Sequence, residues 1–209
     1  MSEFVAREST VNRVCLSLLV QELVPTAIRV THARQESNTL DNADPQTRID
    51  TLLSTPDDLP GTSVIFRSDL LMSDDTIYRV ETYGYSLGMR LAEYIMYSLR
   101  SEIKLVVVLD VMKFICRELW KELYGKQMDS LRTNHRGTFV LIDTNFKSIA
   151  NLSSPDSISE LMSAAKVYLL FPCGIIRGVL TSFGIDAYAS ADIKLFPSVE
   201  FSIQTSEGV

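Results

Sequence analysis

The stretch Ile185-Asp-Ala-Tyr-Ala-Ser-Ala-Asp-Ile-Lys-Leu-Phe-Pro-Ser-Val-Glu-Phe-Ser-Ile-Gln204 decides the fold class. Ile185, Ala187, Ala189, Ala191, Ile193 and Leu195 alternate with Asp186, Tyr188, Ser190, Asp192 and Lys194. Past Pro197-Ser198, Val199, Phe201 and Ile203 alternate with Glu200, Ser202 and Gln204. A period of two, broken by one turn, predicts two amphipathic antiparallel strands with one face on a core and the other in water. Immediately upstream the period becomes helical. Ser157-Ile158-Ser159-Glu160 reads as a capping box opening a long helix to Phe183, which Gly184 closes and Pro172 should kink.

Further out, Lys126 to Arg132 and Thr138 to Asp143 flank Asn134-His135-Arg136-Gly137, the pattern of a second hairpin. A helix is predicted from Leu105 to Tyr124, with Leu109, Met112, Cys116, Leu119 and Leu123 on one face and Gly125 as its cap. Its polar stripe is Asp110, Lys113, Arg117 and Lys121. Another is predicted from Thr76 to Arg100, capped by Asp74 or Asp75. Residues 11–31 give a helix apolar on most of its circumference, and hence buried on more than one side, which Pro25 should bend or end. Three helices, a hairpin, a helix and a hairpin segregate the two element types. That order indicates an α+β domain with an antiparallel sheet, not a doubly wound nucleotide fold.

Residues 33–75 differ in kind, being rich in Pro, Ser, Thr, Asn and Asp with no sustained period, and read as a disordered insertion in a single 1–209 domain. Short apolar patches within it, Leu52-Leu53 and Val64-Ile65-Phe66, could dock locally. It also carries the charge. The chain holds 26 acids against 20 Lys and Arg, a net of -6; residues 33–75 contain nine acids and three arginines, leaving 17 of each sign elsewhere. The acidic balance of the chain argues against nucleic-acid partners and a polybasic membrane patch, and a formally neutral body suits a subunit of an assembly.

Cys15, Cys116 and Cys173 form no even disulfide set and lie at no metal spacing; His32 and His135 are far from each other and from the cysteines. A cytosolic chain without metal or cofactor follows. No uninterrupted apolar run reaches roughly 18 residues; Tyr168 to Leu180 is broken by Arg177, and Glu3 and Glu8 disfavour a signal peptide. No Walker or dinucleotide motif occurs.

Gly84-Tyr85-Ser86-Leu87-Gly88 matches G-x-S-x-G, which would make Ser86 a nucleophile with His135 as base and Asp110 or Asp129 as acid. A nucleophile elbow needs a strand before it, whereas Ile77, Val80, Gly84 and Leu87 run helically through the motif, so a serine hydrolase is the weak alternative. Read structurally, Gly84 and Gly88 make a flat strip for close helix approach, and Gly174 and Gly178 repeat it. The two strips could face each other or a partner. An apolar small-molecule site between the last helix and the sheet is the remaining alternative.

The run Leu109 to Trp120, Leu-Asp-Val-Met-Lys-Phe-Ile-Cys-Arg-Glu-Leu-Trp, continues into Lys126 to Leu141, Lys-Gln-Met-Asp-Ser-Leu-Arg-Thr-Asn-His-Arg-Gly-Thr-Phe-Val-Leu. Together they resemble the small subunits of the transport protein particle (TRAPP), in particular the subunit-six type, with its Leu-Arg-Thr-Asn-His signature at Leu131 to His135. Tyr83 to Glu93 and Cys173 to Leu180 agree. The resemblance implies four helices beside a four-stranded antiparallel sheet. It implies a non-enzymatic architectural subunit of a vesicle-tethering assembly acting between endoplasmic reticulum and Golgi, cytoplasmic and peripheral to those membranes without inserting. The assembly as a whole would promote nucleotide exchange on a Rab GTPase. The partners implied are other small subunits, above all the family's founding one, engaged through the first two helices. Leu16, Leu19, Leu23, Val80, Tyr83, Gly84, Leu87, Gly88 and Leu91 are the candidate interface residues. The founding subunit is acylated on a cysteine before the third helix; Ser98 to Lys104 has none, which excludes acylation there.

Overall fold

A computed structural model describes residues 12–40, 69–98, 107–134, 136–153 and 157–206. In chain order come α1 (Arg13–Leu40), α2 (Asp74–Ser98), α3 (Val108–Phe114), a π-helical turn (Ile115–Leu119) and α4 (Trp120–Tyr124). After β1 (Ser130–Thr133) and β2 (Thr138–Asp143) follow α5 (Lys147–Ala150), α6 (Ile158–Tyr168), α7 (Leu170–Ser182), β3 (Ala187–Leu195) and β4 (Ser198–Thr205). All neighbours in the sheet are antiparallel, in the order β1-β2-β4-β3. The α+β class and both strand pairs are present, with β1 beginning at Ser130 rather than at Lys126.

Several boundaries move, each for a local reason. The first helix runs to Leu40, so residues 33–40 are helical, as are Asp74 and Asp75; the expected 33–75 excursion reduces to 41–68, which lies outside the described residues together with Leu52-Leu53 and Val64–Phe66. Pro25 neither ends nor interrupts α1. A helical proline leaves the carbonyl four residues earlier without its donor. Here that carbonyl, on Gln21, accepts from the Tyr168 hydroxyl at 3.2 Å. Helix α2 is capped by Ser73, not by an aspartate: its hydroxyl accepts from Thr76 N–H at 3.3 Å, while Asp74 and Asp75 sit in the first turn, where negative charge suits the helix dipole. The expected helix start at Leu105 falls outside the described residues.

The long last helix is two. It breaks at Leu169, and Pro172 becomes the third residue of α7, where no intrahelical donor is required of it. Ser157 caps α6, accepting from Glu160 N–H. At the other end Gly184, at φ 75°, and Ile185 donate to the carbonyls of Thr181 and Leu180 at 2.9 Å each, a Schellman closure. Taken together as one span, α6 and α7 (Ile158–Ser182), and likewise Val14–Gln35 of α1, are long and apolar enough by length and composition to cross a bilayer; the former is largely buried in the core.

The glycine strips face each other. A Cβ on Gly84 would lie 2.1 Å from the Phe171 carbonyl oxygen, and one on Gly88 2.2 Å from that of Ile175; Gly174 and Gly178 meet the Glu81 and Tyr85 carbonyl oxygens equally closely, at 2.2 Å. α2 and α7 thus touch backbone to backbone, with the Arg177–Glu81 ion pair across their seam. Beneath them Ile175, Ile176 and Val179 are fully buried, as is Phe201 on β4.

One polar node ties the helices to the sheet. Trp120 Nε1 donates to Asp143 at 2.8 Å, Lys126 pairs with the same fully buried carboxylate, and Asn145 N–H adds a third donor at 3.0 Å. Around it Trp120, Tyr124, Phe146 and Phe201 pack mostly edge to face. Trp120→Phe keeps much of the ring but strips a donor from a buried anion, a loss of about 2 kcal/mol. The urea midpoint should fall accordingly; an unchanged midpoint would show the bond to be dispensable.

Asp129 closes the hairpin base, accepting from Thr144 N–H at 2.7 Å and Thr144 Oγ1 at 2.8 Å. The Thr144 backbone donor, then its hydroxyl and nearby Lys126, hold this carboxyl below its ordinary value. A depressed folded pKa gives stability that is present above the unfolded value of about 4 and is lost as pH falls through the folded one. Acid titration followed by tryptophan fluorescence should thus show wild type losing its margin over Asp129→Asn below about pH 4. Because the carboxyl is 44% exposed, the effect should be small.

Candidate functional site

The core takes one side of α1 from Val24 onward: Val24, Ala27 and Ile28 are buried, and buried Thr31 donates to the Ala27 carbonyl at 2.9 Å and meets Thr76 of α2 at 3.4 Å. The first two turns differ. Val14, Leu18 and Leu19 keep 60, 59 and 66% of their surface exposed, and Cys15 is exposed beside them. α2 adds Tyr78, Tyr83, Met89, Tyr94 and Tyr97, all exposed. On α2, Tyr83 and Tyr94 share one side of the helix and Tyr78 and Met89 another.

Between these turns and the body lies a groove of about 130 Å³. Leu16, Leu19, Val20 and Leu23 of α1 form one wall; Leu87 of α2, Phe171 of α7 and Leu123–Tyr124 of α4 form the other, with Lys147 and Ser148 of α5 at its edge. Lys147 Nζ donates to the Tyr124 carbonyl at 2.8 Å, closing the C-terminus of α4. Burial pushes the Tyr124 phenol pKa up, so it stays neutral. The groove is apolar, open, and built mainly from four helices.

The sequence-derived interface residues therefore divide. Leu16, Leu19, Leu23 and Leu87 come together on the groove, and Tyr83 stands exposed nearby on α2. Leu91 is half-buried against the core. Val80, Gly84 and Gly88 point inward: Val80 is fully buried, and the glycines are consumed by α7. Helical spacing groups Val14 and Leu18 with Leu23 and Ala27, and Tyr94 with Val80 and Leu91, yet all three are exposed, as is Tyr97, which that spacing does not include.

The nucleophile elbow that the hydrolase reading needs is absent at Ser86. Ser86 lies in the middle of α2, more than two turns from either end, without the strand-to-helix turn that an elbow needs. Asp129 is engaged by Thr144, Asp110 pairs with Lys113 at 3.0 Å, and His135 lies outside the described residues. Burial pushes the Cys116 and Cys173 thiols up to about 12, which makes them packing residues rather than nucleophiles. Among the described residues no three His, Cys, Asp or Glu side chains are grouped to hold a metal.

A family model described as transport protein particle (TRAPP) component matches residues 16–206. The chain is 36% identical over 148 residues to trafficking protein particle complex subunit 6A of Bos taurus, covering 71% of this chain and 83% of that protein. To subunit 6B of Homo sapiens it is 34% identical over 127 residues, 61% of this chain and 77% of that protein. Its fold is similar to the crystal structure of a trafficking protein particle complex subunit 3 from Naegleria fowleri covalently bound to palmitic acid. That match has a TM-score of 0.55 and 15% identity, over 95% of this chain and 99% of the other. An α+β body with these relatives, and with a family match running from α1 through β4, belongs to the TRAPP family as a small subunit of the subunit-six type.

Proposed function

We propose that this trafficking-complex subunit is architectural and non-enzymatic, and that it pairs with another TRAPP small subunit across the exposed face of α1 and α2. The observation that carries this reading is the exposed apolar start of α1: Leu19, 66% exposed, lines an apolar groove with Leu16 and Leu23, and Val14 and Leu18 are more than half exposed on another side of the same turns. Full burial of a leucine or valine is worth about 1.5–3 kcal/mol. A few such side chains supply part of what must offset the entropy cost of association. The contact set is Leu16, Leu19, Leu23 and Leu87, with Tyr83 at its margin; Val80, Gly84 and Gly88 serve the interior.

On this reading the partner is a founding-type small subunit. Rab nucleotide exchange belongs to the whole assembly, and this chain reaches Golgi and endoplasmic reticulum membranes only through its neighbours. Affinity purification from the native source tests it. Stoichiometric recovery of TRAPP small subunits is expected. Recovery of the chain as a stable monomer free of any TRAPP subunit would overturn the proposal.

A further inference from the structure

We draw no further inference here: the strongest candidate, the apolar groove between the start of α1, Leu87 of α2 and Leu123–Tyr124 of α4, belongs to the face already proposed as the subunit contact, and nothing in the structure shows what else covers it.

Discussion

Gly88→Ala should destabilise the protein by about 3 kcal/mol, at or above the usual range for overpacking a filled core. Helix propensity alone points the other way, because alanine gains about 1 kcal/mol over glycine in a helix interior. The clash decides the sign. The new methyl would sit 2.2 Å from the Ile175 carbonyl oxygen and 2.9 Å from its Cα, and these are backbone atoms of a buried helix that cannot rotate away. α2 and α7 would have to separate by more than an ångström, loosening the packing of Ile175, Ile176 and Val179, all fully buried beneath the seam. At roughly 2–4 °C per kcal/mol for a chain of this size, the melting temperature should fall by about 6–12 °C. Gly184→Ala is the control. Nothing lies within 4 Å of a Cβ there, so only the left-handed backbone at φ 75° penalises it, by about 1 kcal/mol. If Gly88→Ala melts no lower than Gly184→Ala, the backbone contact between α2 and α7 is not what the structure describes.

Leu19→Glu should do the opposite, leaving the fold intact and removing the partner. At 66% exposure the leucine contributes little to the monomer, and an exposed helical substitution typically changes stability by less than about 0.5 kcal/mol. In a pair formed over the groove, the same change loses the burial of one leucine and forces a carboxylate into an apolar contact. Together these should weaken association at least a hundredfold, about 2.8 kcal/mol. Co-expression with a founding-type TRAPP small subunit, scored by co-purification beside an unchanged melting curve, reads both parts. Tyr188→Glu, on the exposed face of β3, should retain the partner in the same assay. Wild-type recovery with Leu19→Glu would remove α1 from the interface.

Much of this architecture is legible in the sequence because its signals are local. The alternation in Ile185 to Gln204, the serine at position 157 and the glycines at 125 and 184 each act within a few residues, and the elements they predict are present. What local reading misses depends on distant partners. Pro25 looks like a breaker until Tyr168, far along the chain, supplies the donor that the Gln21 carbonyl lacks. Ser73 takes the cap of α2 from the adjacent aspartates because its hydroxyl reaches the Thr76 N–H and also the Thr76 hydroxyl, which joins α1 through Thr31.

The residues lining the groove were legible only in part, for a related reason. Periodicity places Val80, Gly84, Leu87 and Leu91 on one broad stripe of α2, but α7 takes the centre of that stripe and leaves Leu87 on the groove. Spacing shows that two glycine strips exist, and only their close approach shows that each is the other's partner. The resemblance carried by Leu109 to Leu141 supplied what periodicity could not, the family; among its residues Trp120 and Lys126 meet at the buried Asp143 carboxylate.

Backbone amide hydrogen exchange, compared between the chain alone and its complex with a TRAPP small subunit, tests the pairing most directly. Added protection should concentrate in residues 14–23 of α1 and 83–97 of α2, with the sheet unchanged. Protection confined to β3 and β4, with the start of α1 exchanging as freely as in the isolated chain, would contradict the account.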